Sequence, residues 1–301
     1  LPVKAIFMGT PEFAVPSLEK MIAAGHEVTA VFTQPDRPKG RGQSPAASPV
    51  KIAAERLGIP LYQPERVRRP EVVEEIRSLQ PEVMVVVGYG QIIPQAILDV
   101  PASGIINVHA SLLPKYRGAA PIQWAIARGE TRTGVTTMRI DAGLDTGDML
   151  LKAETDIGEE ETAEELSVRL AALGAELLGR TLAGLSTIKP EKQDHSQATL
   201  APILRKEDGR IDWTQPAREI ANRVRGFQPW PGCYTLWRGK RLAIWRARAC
   251  AGSGKAGEIR GTQVGCGDGA LELVEVQPEG KKRMTAEAFL RGHQVKDGEV
   301  L

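Results

Sequence analysis

Three side chains of this chain have the types and spacing for acid–base chemistry at a carbonyl group: Asn107, His109 and Asp145. Asn107 and His109 stand two apart in Ile-Ile-Asn-Val-His, residues 105 to 109, so on an extended backbone they share one face while Ile106 and Val108 share the other. Asp145 lies in Asp-Ala-Gly-Leu-Asp-Thr-Gly-Asp, residues 141 to 148, a loop of small residues between two strand-like runs. A lone His near a strand end is ordinarily a satisfied structural residue. An amide on the same face and a carboxylate on a second loop widen what it could do. The amide can donate to an oxygen that gains negative charge, and the imidazole and carboxylate can hold or move a proton. We therefore expect Asn107 and His109 to hydrogen-bond a carbonyl oxygen, with Asp145 holding His109 or accepting a proton through water. No order of Ser, His and Asp signals a hydrolase, and a single His in this region leaves little for zinc, so no metal is expected. The loop after His109 runs from Ser111 to Pro121 and brings two prolines, a glycine and the cations Lys115 and Arg117.

Such groups need a strand that ends at a ligand crevice, and the first part of the chain has that pattern. Val3 to Met8 is a continuous apolar run closed by Gly9, the mark of a strand buried on both faces. Val15, Leu18, Met21 and Ile22 recur at helical spacing, Gly25 ends the segment, and Val28 to Phe32 reads as a second strand. Helical patterns follow at Val50 to Leu57 and Glu71 to Leu79, and Val83 to Val87 is the most apolar strand, stopping at Gly88, Tyr89 and Gly90. This order predicts an α/β, Rossmann-like open sheet, parallel-dominated, with helices on both faces and ligands beyond the carboxyl ends of its strands. The first turn reads Gly-Thr-Pro-Glu-Phe without Gly-x-Gly-x-x-Gly, which argues against a nicotinamide enzyme. Gly88 and Gly90 either admit a flat ring against the backbone or simply turn the chain; spacing does not decide. Further on, Val135 to Ile140 and Asp148 to Asp156 read as extended, and Glu161 to Leu185 is the longest helical pattern, with Thr162 and Glu165 at capping-box spacing.

From Gln34 to Pro49 the chain loses periodicity, and Arg37, Lys39 and Arg41 stand against the single acid Asp36: a long basic loop, more often functional than idle. Ser186 to Leu204 is mostly polar and reads as a linker. Beyond it, short strands separated by glycine turns suit a small OB-like β-barrel. The chain thus divides into a catalytic domain at 1–185, a linker at 186–204 and a barrel domain at 205–301. Residues 205–301 hold 18 Lys and Arg against 12 Asp and Glu, the remainder 21 against 25, so a basic module follows an acidic body. That contrast suits a polyanionic partner, or a merely basic surface. Trp237 and Trp245 interleave with Arg238, Lys240, Arg241, Arg246 and Arg248, which is either an RNA-contacting face or a barrel core with a solvated rim. Cys233, Cys250 and Cys266 are odd in number and lack metal-like spacing, as reduced thiols would. No apolar run is long enough to span a membrane, and Leu1 to Lys4 pass directly into a strand pattern without a secretory leader; a cytoplasmic monomer is expected.

Asn-Val-His-Ala-Ser-Leu-Leu-Pro-Lys-Tyr-Arg-Gly followed by Gly-Leu-Asp-Thr-Gly-Asp resembles the formyltransferases that use 10-formyltetrahydrofolate. Phe-Met-Gly-Thr-Pro-Glu-Phe-Ala at 7–14, Gln-Pro-Asp-Arg-Pro-Lys-Gly-Arg-Gly at 34–42, Lys-Glu-Asp-Gly-Arg-Ile-Asp-Trp at 206–213 and Gly-Phe-Gln-Pro-Trp-Pro-Gly at 226–232 extend the likeness over nearly the whole chain. They are closer to the members that act on initiator tRNA than to those that formylate small amines. The resemblance implies formyl transfer to the α-amine of methionyl initiator tRNA with Asn107, His109 and Asp145 in catalysis. It places the folate against Gly88, Tyr89, Gly90 and Ser111, Leu112, Leu113, Pro114. It also brings the loop of Arg37, Lys39 and Arg41 to the tRNA acceptor end, with Lys206 and Arg246 as further tRNA contacts. Two other readings stay open: a small amine acceptor, against which the two basic regions stand, and an RNA-binding protein without turnover.

Overall fold

The apolar runs become strands in the order expected. The computed structural model describes residues 2–38 and 45–301, so Lys39 and Arg41, both expected to contact tRNA, lie outside the described residues. Its elements begin with β1 (Lys4–Gly9), α1 (Val15–Ala23), β2 (Glu27–Phe32), β3 (Arg37–Pro38), β4 (Pro45–Ala46), α2 (Pro49–Leu57), β5 (Leu61–Tyr62) and α3 (Pro70–Ser78). Then come β6 (Val83–Val87), α4 (Gln95–Leu98), β7 (Ile105–His109), α5 (Pro121–Ala127), β8 (Arg132–Arg139), β9 (Met149–Asp156) and α6 (Ala163–Ala183). The remainder is α7 (Ala217–Gly226), β10 (Cys233–Trp237), β11 (Lys240–Cys250), β12 (Ile259–Arg260), β13 (Gln263–Gly265), β14 (Ala270–Pro278), β15 (Met284–Thr285) and α8 (Ala286–His293). Contacts divide the chain into two compact units, one of Leu1–Gly118, Gly134–Thr155 and Ser167–Leu200, the other of Ala119–Thr133, Asp156–Leu166 and Ala201–Leu301.

The first unit is built on a seven-stranded sheet ordered β5-β2-β1-β6-β7-β8-β9. Its pairs from β5 to β7 are parallel, and β8 runs antiparallel to β7. Every residue of β6 is buried, which is why that strand reads as an unbroken apolar run rather than an alternation. Helices α1, α2 and α3 each carry Pro in the first turn, where the missing N–H costs nothing. The Ser48 hydroxyl caps α2 and Gly58 closes it at φ 68°. Strand β2 lies to one side of β1 and β6 to the other, so the chain reverses its direction of winding between them. A crevice is therefore expected beyond Gly9 and Val87, which face each other in register. Gly174 of α6 lies against β7: a Cβ there would come within 3.0 Å of Val108 Cγ1. Val108 thus faces the helix and leaves Asn107 and His109 to the opposite face.

The second unit carries an antiparallel sheet, β10-β11-β14-β13-β12, with β15 beside β14. Strands β10 and β11 meet at Arg238 and Gly239, both at positive φ (47° and 76°), the two-residue turn that suits a twisted hairpin. Its core gathers Val224, Phe227, Leu242, Ile244, Leu271, Val276 and Phe289 with Ala120 and Ala127. Trp124 of α5 meets the Phe227 ring edge-on with centroids 5.3 Å apart. Among the described residues no helix is long and apolar enough to cross a membrane.

Candidate active site

Strand β7 delivers Asn107 and His109 to the carboxyl edge of the sheet, and the loop after β8 brings Asp145 to meet them. Asn107 Nδ2 lies 3.5 Å from Asp145 Oδ1, and His109 Nδ1 lies 3.7 Å from Asp145 Oδ2. The second distance suits an ion pair and is too long for a direct hydrogen bond. The other ring nitrogen, Nε2, is 2.9 Å from the Tyr116 carbonyl oxygen. A carbonyl only accepts, so Nε2 carries a proton and Nδ1 is the nitrogen turned to the carboxylate. Asp145 Oδ2 also accepts from the Gly118 N–H at 2.8 Å. The His109 side chain is 6% exposed and that of Asp145 17%, a pocket in which charges are poorly screened but still reachable. Asp145 itself has φ 51°, a left-handed conformation in which Asp is tolerated better than most residues.

The loop beyond His109 is pinned from below. Ser111 is fully buried, and its hydroxyl donates to the Lys115 carbonyl at 2.6 Å. The Thr136 hydroxyl, also fully buried, donates to the Ser111 carbonyl at 2.7 Å and accepts from the Leu113 N–H at 3.2 Å. Leu113 is buried, whereas Leu112 and Pro114 are partly open. Of the two cations in this loop, Lys115 is exposed and Arg117 is buried, with Gln193 and His195 as its side-chain partners. Sequence reasoning missed Thr136, the Tyr116 carbonyl, Gly118 and Gln193. None carries a local signal, since each acts through a hydrogen bond to a distant segment.

At the crevice between β1 and β6 a cavity of about 610 Å³ is lined by Thr10, Pro11, Gln34, Ser48, Gly88 and Gly90 among others. Gly88 and Gly90 have φ of 58° and 85°, and a Cβ on Gly88 would sit 2.9 Å from Pro11 Cγ, so the bare backbone is required there. Tyr89, expected to touch the folate, also lines this cavity, while its side chain is buried in the core cluster with Ile6, Met84 and Ile97, and burial pushes its phenol well above the ordinary range. Its carbonyl accepts from Thr10 Oγ1 and Gln34 Nε2, at 3.0 and 3.1 Å. The exposed Arg37 lines the same cavity. Asp36 next to it accepts from Lys51 Nζ at 2.6 Å, which with Gln63 holds its carboxyl below the usual range.

In the second unit Lys206 is exposed, while Arg246 and Arg248 share the Glu160 carboxylate at 3.5 and 2.6 Å. The interleaved aromatics are largely engaged: Trp237 is buried beneath Arg238, and Arg283 lies 3.4 Å over the Trp245 ring. Trp230, not singled out from the sequence, is 51% exposed. Among the described residues no group of three or more His, Cys, Asp or Glu could hold a metal ion.

A formyl transferase profile matches residues 3–182, and a formyl transferase C-terminal domain profile matches residues 203–294. A methionyl-tRNA formyltransferase of Solibacter usitatus is 63% identical over 99% of this chain and 98% of its own length. One of Citrifermentans bemidjiense is 53% identical over 99% of this chain and 96% of its own. Among solved structures, the sugar 3N-formyl transferase WlaRD, crystallised in the presence of dTDP and 5-N-formyl-THF, superposes with a TM-score of 0.70 at 19% identity, covering 94% of this chain and 100% of its own. HypX from Aquifex aeolicus in complex with tetrahydrofolic acid gives 0.64 at 17% identity, covering 96% of this chain and 47% of its own; at these identities the likeness is one of fold. With both profiles matched in order and the identity sustained end to end, the chain belongs to the methionyl-tRNA formyltransferase family.

Proposed function

We propose that the chain transfers the formyl group of 10-formyltetrahydrofolate to the α-amine of methionyl initiator tRNA, giving formylmethionyl-tRNA for translation initiation, as a cytoplasmic monomer. The observation that carries the mechanism is the convergence of Asn107, His109 and Asp145 at one sheet edge. The amine attacks the formyl carbon while neutral, and the formyl oxygen gains negative charge as the new C–N bond forms. Asn107 turns one N–H toward Asp145, and its second N–H is the donor for that oxygen. His109, with Nε2–H committed to the Tyr116 carbonyl, works through Nδ1. Asp145 accepts the proton that the amine must lose, directly or through water, and the proton passes to the tetrahydrofolate nitrogen as the old C–N bond breaks. The glycine-bared cavity between β1 and β6 suits a flat ring of folate size, with Gly88, Tyr89 and Gly90 among its lining; Ser111 to Pro114 are proposed to border the folate on the strength of the family resemblance alone. Arg37, Lys39, Arg41, Lys206 and Arg246 are the proposed tRNA contacts. Residues 1–185 are the proposed catalytic domain, 186–204 a linker and 205–301 the tRNA-binding domain. The test is formyl transfer to methionyl initiator tRNA by the intact chain and by Asp145→Ala. Transfer that disappears in the variant bears the assignment out. Formylation of a small amine, with none of tRNA, overturns it.

A further inference from the structure

The segment 191–200, mostly polar and with a single 3-10 turn at His195–Gln197, does more than join two parts of the chain. Its Gln193 is buried and spends every hydrogen-bonding group of its amide on the site. Nε2 donates to the carbonyls of Asp145 and Gly147, each at 2.8 Å. Oε1 accepts from Arg117 Nε and Nη2, at 3.0 and 2.6 Å, and Arg117 Nη2 also lies 3.0 Å from His195 Nδ1. The same segment binds both loops of the site through its backbone and one hydroxyl. Glu191 and Met149 exchange two backbone hydrogen bonds of 2.8 Å. The Arg117 N–H donates to the Thr199 carbonyl, and the Tyr116 N–H to Thr199 Oγ1, both at 2.9 Å. Tyr116 is the residue whose carbonyl fixes the His109 tautomer.

We infer that Gln193 is a positioning residue for Asp145, and that residues 191–200 are a strap belonging to the catalytic apparatus. The residue type supports this. Arg117 is a buried cation whose side-chain partners among the described residues, Gln193 and His195, include no carboxylate. If position 193 existed only to compensate that charge, Glu would serve better than Gln. A carboxylate, however, cannot donate, and here two carbonyl oxygens need donors. Those carbonyls bracket the turn in which Asp145 holds its left-handed conformation, so the two donated bonds determine where its carboxylate points.

The inference rests on the role proposed for Asp145, so Asp145→Ala is measured alongside two substitutions that remove the donors. Gln193→Glu keeps the size and gives Arg117 a carboxylate; Gln193→Met keeps the size and gives it nothing. With the full chain, kcat, KM for the folate co-substrate and Tm are recorded for each. Misplacing a catalytic group by about 1 Å costs on the order of 100-fold, so both variants are expected to lose about 10- to 100-fold in kcat with KM little changed. Both variants leave the two carbonyls without donors, but Glu keeps an acceptor for Arg117 and Met does not, so the Tm values are expected to diverge, with Glu above Met. Activity that follows the lost donors rather than Tm supports the inference. A kcat that tracks Tm across the pair, or a folded variant with wild-type kcat, overturns it. If Asp145→Ala is inactive while Gln193→Glu is not, the inference alone fails; if Asp145→Ala is fully active, the reading of the site fails with it.

Discussion

Thr136→Val is the substitution that most directly probes how the fold holds the loop beside His109. Valine has nearly the shape of threonine, so packing is preserved, but the hydroxyl that donates to Ser111 and accepts from Leu113 is gone. The site is fully buried, and water is not at hand to replace either bond. Leaving one buried donor and one buried acceptor unsatisfied costs about 1–3 kcal/mol each, so about 2–6 kcal/mol if the loop stays where it is. That is a large part of an ordinary folding free energy of about 5–15 kcal/mol. The loop has a cheaper course, which is to lift Ser111 to Leu113 into solvent, and the cost then appears as a disordered border to the folate site. The assay is thermal or urea unfolding together with KM for 10-formyltetrahydrofolate, for wild type, Thr136→Val and Thr136→Ser. A Tm lowered by roughly 2–4 °C per kcal/mol, a raised KM, or both, is expected in the valine variant, with most of the loss recovered by serine. Wild-type Tm and KM in Thr136→Val would refute the claim that this hydroxyl holds the loop.

Two predictions concern the second unit. The Arg238 guanidinium, donating to Glu299, holds that carboxyl down at about 2, against an ordinary 4.5. A depressed carboxylate contributes its stability in full above its ordinary value and loses it as pH falls toward the folded value, so the difference in urea midpoint between wild type and Glu299→Gln should be constant above pH 4.5 and vanish near pH 2. A difference that grows on acidification would contradict the pairing. Burial pushes the Cys233 and Cys266 thiols up to about 12 and about 11, so both should resist iodoacetamide in the native protein at mildly alkaline pH, with the partly buried Cys250 alkylated first. Mass mapping of the adducts decides it.

What could be read in advance follows from how local each signal is. The unbroken apolar runs of β1 and β6 and the alternation in β7 report burial along a single strand, and that was enough to place Asn107 and His109 on one face. The glycines after β6 were visible as glycines, but whether they bared a cavity depended on Pro11, which arrives from the turn after β1. The burial of the Tyr89 side chain was hidden for the same reason, since it depends on the residues of other segments packed around it. Gln193 had no signal at all, being one amide in a polar stretch. In the C-terminal part, β13 and β15 are too short to show a period, and α8 follows a basic run that hides its apolar stripe. Trp237 and its arginine neighbours matched two patterns; the fold uses this pair as core and cover.

The way α5 is enrolled in the second unit has a consequence for synthesis on the ribosome. Its apolar face, with Ile122 and Ile126 buried in the finished protein, emerges long before the Phe227 ring that Trp124 packs against. At about 5–20 residues per second, the roughly hundred intervening residues leave that face waiting for some 5–20 s. During this interval the nascent chain presents a sticky helix with no partner yet made. Until the last third of the chain arrives, nothing of the second unit's sheet is there to cover that surface.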